Sequence, residues 1–539
     1  MKQHRIRSAR FTWLIVLSIL LLLWQPGVEA LAGNQSQQSK VDYWTSFRAD
    51  NDNNAIKEAE LMAEPASVKY WGKMFGELSE WGTSSKSGFL VLDESIYFAC
   101  DNIFYRLNKQ GEVTGQTILQ DYIGYTARPA SGNGLVVVPL NGGALEAIDP
   151  GTMKTVWTSD GPGDFTASVT DDQGQTTSAT FTLQNGSSLY VDNGLCYSLT
   201  LAMDENYMSI GGYVHAVDMT TGDTVWVEED RAPENAPAGF NMSGSVVIEN
   251  WLLVIGEKGE LAVRDALTGE LKSTESMGSK VNSALVRQGN LVYFTTFDGR
   301  LVECELDATA GTISKTMEIA FAIKSVSTPA VHNGKIYVGG LSDFGNWETG
   351  VPATGLFAVI DLASKEVEKT FEVEGGEVQS SPLVAVGKGG TPFVYFTANN
   401  EVGGLYAFGG NNVKRVFEPS ADDAEQNYTL FSPVIDQNGT VYYANDSGYI
   451  FAIAEQVPPP AAPGESEEPD PVPSTEPSES EEPLLPTASV VGTEGQVPPP
   501  SESEGSVASW LIPAIVGGVI LILVAVFIVV RSKSRKETK

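Results

Sequence analysis

The chain has 539 residues, with 34 Lys and Arg against 68 Asp and Glu, three Cys and three His, and a formal charge of −34. That balance excludes a nucleic-acid backbone as partner, because phosphate binding needs clustered cations. Three Cys cannot build a disulfide framework or a four-Cys zinc site, and three His, one of them His4, leave little for His-based metal or triad chemistry.

Residues 1–32 have a cationic start (Lys2, Arg5, Arg7, Arg10), an apolar run from Phe11 to Trp24 and small residues around Ala30. This is the layout of a secretory signal peptide. Residues 33–66 form an N-terminal lead-in. Within it, Asp50-Asn51-Asp52-Asn53-Asn54 has the look of a calcium loop. Ala55 stands where such a loop needs Gly, however, and Leu61 where it needs Glu. An Asx-rich turn is therefore the expectation.

Residues 67–456 are organised by an internal repeat. Eight short alternating stretches begin at Asn102, Gly143, Gly212, Gly259, Gly299, Gly355, Gly404 and Gly448, mostly 40–50 residues apart. Period-two alternation makes each a strand, and eight copies predict an all-β, eight-bladed propeller of four-stranded blades. The count falls to seven if the first, weakest repeat is decorative. The eighth unit stops at Ile453, where a fourth strand is due. Ser67 to Phe75 resembles the fourth strands around Trp157 and Trp226, so the N-terminal strand is expected to close the ring and leave no open edge.

Residues 457–509 are rich in Pro, Ser and Glu, with eleven acids and no Lys or Arg. Such a segment cannot bury enough apolar surface to fold, and it reads as a disordered, extended stalk. Residues 510–530 carry no charge and are long enough to span a bilayer as a C-terminal transmembrane helix. The basic tail 531–539 follows. Cations beside a span stay in the cytoplasm, so the expected localisation is the cell membrane, single-pass, with an extracellular ectodomain. The first 32 residues carry +3, the stalk −11 and the tail +4, which leaves −30 on residues 33–456.

The recurring Ser-Pro-x-Val, Asn-Gly-x-Val-Tyr, Gly-x-Leu-x-Ala-Ile-Asp and Thr-Gly-x-x-x-Trp pattern resembles the pyrroloquinoline-quinone-type propeller repeat. Arg128 to Trp157 follows it nearly throughout, and Tyr43 to Asp50 resembles the family's Trp-x-x-Phe-Arg-x-Asp opening. The likeness covers about residues 43 to 454. It implies the fold but no single activity, because the family holds quinoprotein dehydrogenases and non-catalytic scaffolds such as the propeller lipoprotein of outer-membrane β-barrel assembly. The dehydrogenases are implied to hold their quinone between a Trp and an adjacent-Cys disulfide, with Ca²⁺ and a catalytic Asp. Here Cys100, Cys196 and Cys304 fall on separate repeats, each in or beside an apolar strand, and read as small buried hydrophobes. His215 and His332 occupy repeat-consensus positions, so no catalytic residue is assigned. No cofactor is expected, neither quinone nor Ca²⁺, and the chain reads as closer to the scaffolds.

In a four-stranded blade, the second-to-third loops and the blade connections share one face. The long insertions fall there: Leu199–Ile210, Leu341–Thr354 and the connections Ser159–Ser178, Asp230–Gly239 and Pro419–Tyr428. Met203, Tyr207, Met208, Asp343, Phe344 and Trp347 are the candidate partner-binding residues, since aromatic and Met anchors among carboxylates suit a protein, peptide or glycan surface. The expected function is a membrane-anchored, non-catalytic binding or scaffold module for extracellular partners. The rival reading is an enzyme, either a quinone-dependent dehydrogenase or a calcium-assisted carbohydrate-active protein.

Overall fold

All eight predicted repeat strands form, each as the third strand of a four-stranded antiparallel blade, with extra strands added to the sheets of the third and seventh: Ile103–Leu107, Leu145–Asp149, Ser209–Asp218, Glu260–Asp265, Arg300–Asp307, Thr354–Asp361, Leu405–Gly409 and Tyr449–Ala454. The computed structural model describes residues 43–59, 68–76, 85–170, 175–231, 236–346, 348–387, 389–421 and 425–454. The signal-like start, the stalk, the expected span, the basic tail and Trp347 lie outside the described residues. Among the described residues no helix is long and apolar enough to cross a membrane.

The sheets are the blades of an eight-bladed β-propeller. Blades 1 to 7 run over 90–118, 130–159, 190–230, 246–276, 286–320, 330–374 and 383–417. Blade 8 combines 434–454 with the N-terminal strand Val68–Met74, which pairs antiparallel with Tyr449–Ala454 from Val68↔Ala454 to Met74↔Tyr449. The first repeat forms all four strands, which removes the seven-bladed alternative. Pairing the chain's start with its last blade leaves no strand missing from the ring.

The repeat consensus has a local physical explanation. The Asp that ends a third strand accepts backbone N–H groups from the turn after it: Asp149 from Gly151 and Thr152, Asp218 from Thr220 and Thr221, Asp265 from Leu267 and Thr268. These Asx turns set up the fourth strand. In blades 1, 3 and 4 the Gly of this turn, Gly111, Gly222 or Gly269, has positive φ and receives a Trp from the preceding blade, whereas in blade 2 Met153 takes the positive φ. A methyl group at Gly111 would come within 2.7 Å of the Trp71 ring, and one at Gly222 within 2.7 Å of Trp157. Each indole also donates to the next blade, Trp71 to Lys109 O at 2.9 Å, Trp157 to Met219 O at 2.9 Å and Trp226 to Ala266 O at 3.1 Å. Trp71 thus fastens blade 8 to blade 1. Each of the eight third-to-fourth pairings contains a one-residue register shift, which adds the twist a radial blade needs.

The core is distributed between blades. Tyr197 and Trp226 of blade 3, for instance, share an apolar cluster with Val247, Leu253 and Val263 of blade 4.

Two expected loops are instead strand. Within Leu199–Ile210, Leu201–Met203 folds back on the start of the third strand, with Ala202↔Gly211 and Met203↔Ser209 paired. The connection after Ser159 contains a ribbon, Phe165–Thr170 against Thr176–Phe181. The ribbon strands are rich in Thr with Phe and Val, residues whose strand preference expresses itself once a neighbouring edge is offered.

Candidate functional site

The lead-in runs across the ring of first strands and binds one blade after another. Trp44 N–H donates to Val91 O of blade 1 at 2.9 Å, and Thr45 O accepts from Ser131 of blade 2 at 2.7 Å. Asn51 Nδ2 donates to Val191 O of blade 3 at 3.0 Å. Asn53 Nδ2 bridges Ser245 O at 3.0 Å and Leu285 O at 3.1 Å, at the starts of blades 4 and 5. Asp52 pairs with Arg287 of blade 5 at 2.6 Å. Asn54 donates to and accepts from Val331 of blade 6, both at 2.9 Å. Ile56–Glu58 then adds a parallel strand to Leu383–Val386 of blade 7. The run of five Asx residues is therefore the hub of the propeller. Its turn character is limited to contacts such as Asp52 N–H to Asp50 Oδ1 at 3.1 Å. Asn and Asp suit this place because first-strand backbone groups converge there and each needs a donor or an acceptor.

The hub crosses the first strands at their middle residues or, in blades 4 and 5, just before them. On the face where blade connections and second-to-third loops lie, the axis opens as a cleft of about 630 Å³ that includes space open to solvent. Phe47 and Arg128 line it, with Lys86, Tyr125, Ser432 and Asp446. Arg128 lies deep beneath the blade connections yet keeps part of its surface open to the cleft. It stacks on Phe47, with Cζ 3.8 Å from the ring centroid, and its Nη1 donates to Met242 O at 2.8 Å. Arg48 is fully buried nearby and donates to Ser381 O at 2.9 Å and to Pro382 O. Burial lowers both guanidinium pKa values to about 9, with Arg128 adding to the effect on Arg48. Both stay cationic at neutral pH. Neither has a carboxylate partner within ion-pair distance among the described residues. Across the cleft, Tyr125 Oη donates to Asp446 Oδ1 at 2.5 Å. Burial raises the Asp446 carboxyl and lowers the Lys86 ammonium, while their mutual attraction opposes both shifts.

His and Cys build nothing comparable. His215 is buried, its Nε2 lies 2.9 Å from Thr224 Oγ1, and burial lowers its pKa to about 4. His332 sits in a hairpin beside Asn333, with Nε2 3.0 Å from the amide. Cys100, Cys196 and Cys304 are buried on blades 1, 3 and 5, and burial pushes the thiols of Cys196 and Cys304 up to about 12. Among the described residues no three His, Cys, Asp or Glu side chains stand close enough to hold a metal ion. With the cysteines on separate blades and the Asx side chains spent on blade contacts, the residues present do not fit the quinone and calcium arrangement that the repeat implies.

Of the predicted partner residues, Met203, Tyr207 and Met208 lie on the blade 3 hairpin. Met203 is half-buried, while Tyr207 and Met208 are 38% and 52% exposed. Asp204 holds that tip by accepting N–H groups from Asn206 and Met208. Asp343 and Phe344 lie on blade 6, with Phe344 55% exposed and Asp343 Oδ1 accepting from Gly345 at 2.7 Å. Blades 4 and 5 separate the two groups, and no hydrogen bond or ring contact among the described residues joins them. The same face also exposes Tyr122, Ile323, Val351 and Tyr428. Of these, Tyr428 was signalled by its long connection and Val351 by its insertion, while Tyr122 and Ile323 sit on shorter connections that carried no such mark.

The profile of the family described as outer membrane protein assembly factor BamB matches residues 101–367. No curated protein matches the chain in sequence. Solved structures of two quinohemoprotein alcohol dehydrogenases share the fold. The chain is 13% identical to quinohemoprotein alcohol dehydrogenase ADHIIG from Pseudomonas putida HK5, with a TM-score of 0.52 over 78% of this chain and 82% of that one. Against the quinohemoprotein alcohol dehydrogenase of Comamonas testosteroni it has 12% identity and a TM-score of 0.50, over 76% and 80%. Against BamB from Moraxella catarrhalis it has 12% identity and a TM-score of 0.47, over 72% and 99%.

Proposed function

We propose that the chain, whose residues 101–367 match the profile described as outer membrane protein assembly factor BamB, is a non-catalytic scaffold of the pyrroloquinoline-quinone-type β-propeller repeat family, anchored in the cell membrane. Its loop face holds an extracellular protein, peptide or glycan partner. One observation carries this reading: Tyr122, Tyr207, Met208, Ile323, Phe344, Val351 and Tyr428 all point outward from the connections and loops of one face. Among the described residues, the turns of the other face expose Leu267, and the outermost strands expose Met74, Val113, Ile118, Val156, Val225 and Leu271. Exposed aromatic and Met side chains cost solubility, and they concentrate where a partner covers them. The matched profile describes an assembly factor, a role made of protein contacts, and supports the same reading.

The signal-like start, the acidic stalk and the uncharged run 510–530 support export and anchoring. The scaffold works without quinone or calcium, which the absorbance spectrum and the calcium content of the purified chain test directly. The face is tested by changing Tyr207, Met208 and Phe344 together to Ser and photo-crosslinking on intact cells. Recovery of crosslinked partner should fall at least tenfold, with the circular dichroism spectrum and surface biotinylation unchanged. Undiminished recovery from a folded, surface-exposed variant refutes the assignment.

A further inference from the structure

We propose that the axial cleft is a binding site for a carboxylate group, with Arg128 as its anchor. The rim loops need bind nothing for this to hold. Arg128 is clamped on two sides: Phe47 covers the face of the guanidinium at 3.8 Å, and Met242 O takes Nη1 at 2.8 Å. The edge formed by Nε and Nη2 has no partner among the described residues, and Arg128 lines the cleft. That edge is a fork of two parallel N–H groups, the geometry that a flat carboxylate accepts in a bidentate pair.

The charge around the fork also selects an anion. Arg48 lies close enough to Arg128 to depress its own protonation, and both are held by carbonyl oxygens. Lys86 Nζ lies 3.4 Å from the Asp446 backbone O, and the Lys86 ammonium and Asp446 carboxyl attract one another. The balance is positive, whereas residues 33–456 as a whole carry −30. A largely buried cation without a counter-charge is costly, and at neutral pH Arg128 keeps its proton and so bears that cost. A bound anion removes it. Ser432, whose Oγ accepts the Ser381 N–H at 2.9 Å, retains a hydroxyl hydrogen to donate to an anion in the cleft.

A carboxylate can reach the site as a small free acid or on the side chain of a peptide, and the test separates the two. The purified chain, in mild detergent, is titrated calorimetrically with succinate and with an acetylated, amidated triglutamate peptide. Chloride and inorganic phosphate are run at matched ionic strength. Saturable binding of either carboxylate is expected, and the tighter of the two names the source. Arg128→Gln should weaken it at least tenfold, and Arg128→Lys, which keeps the charge but loses the fork, several-fold. If Arg128→Gln does not fold, Phe47→Leu serves instead: it loosens the clamp and must weaken binding several-fold. Absence of binding by the unmodified chain, equal binding of chloride, tighter binding of phosphate, or unchanged affinity in the folded variants each overturns the proposal.

Discussion

Replacing Asn53 by Asp tests whether the hub acts through its donors or merely through its shape. Asn53 is 1% exposed and has φ 50°, a left-handed conformation that Asp tolerates as Asn does. The substitution changes one amide nitrogen to oxygen and leaves volume and backbone preference nearly intact. Two hydrogen bonds disappear, and the carbonyls of Ser245 and Leu285 then face an anion in a water-excluded site. Each lost bond is worth about 1 kcal/mol, and each buried acceptor left unpaired costs about 1–3 kcal/mol, so a loss of about 4 kcal/mol is expected at neutral pH. With an unfolding entropy of roughly 2.1 cal/mol/K per residue over roughly 400 residues, the melting midpoint falls by about 5 °C. The loss depends on pH with a definite sign. In the folded chain the new carboxyl has its pKa raised above the unfolded value of about 3.9, because only its protonated form can donate to a carbonyl. The folded state therefore holds that proton more tightly. The deficit relative to the parent chain grows as pH rises above about 4 and shrinks as pH falls toward it. Near-UV circular dichroism melts of both chains between pH 4 and 7 measure the difference. A midpoint within 1 °C of the parent at pH 7, or a deficit independent of pH, refutes the hub as a donor-based device.

Gly111→Ala should destabilise the seam between blades 8 and 1 by about 2–4 kcal/mol. The new methyl meets the Trp71 ring at 2.7 Å, and the residue must hold φ 70°. A thermal melt checks this, and Gly111→Ala in a chain carrying Trp71→Leu should recover part of the loss. His215, with its pKa lowered to about 4 by burial, is neutral in the fold and titrates near 6.5 when unfolded. Its contribution is fully present above pH 6.5 and is lost as pH falls toward 4, by about 3 kcal/mol in all. The His215→Asn chain should therefore lose less stability than the parent between pH 7 and 4, as followed by urea denaturation at each pH.

How much of this was legible in the sequence follows from the range of the interactions. The third strands could be read one at a time because alternation, the terminal Asp and the Gly after it act within about ten residues. Blade closure could be read because Val68–Met74 copies a fourth strand whose Trp is visible in two other repeats. The hub could not, because its partners are distant: Asn51 reaches Val191, Asn53 reaches Leu285 and Arg48 reaches Ser381. A local reading of Asp50 to Asn54 weighs calcium against a turn, since those are the two things neighbouring Asx residues can do for one another. Their actual role is to satisfy strands that only the closed ring brings together. Arg128 and Phe47 lay inside quoted repeat motifs, yet nothing local marks a guanidinium as lacking a counter-charge. That property belongs to the assembled axis. The Asn-x-Ser/Thr motif, which the sequence carries at Asn34, Asn185, Asn241, Asn427, Asn438 and Asn445, makes the same distinction. Asn185 and Asn445 match the motif as well as Asn438 does, but Asn185 donates to Leu140 O and Ala144 O, and Asn445 to Glu425 O, each at 1% exposure. In the folded chain these two amides are structural, and a glycan could reach only the more exposed sites.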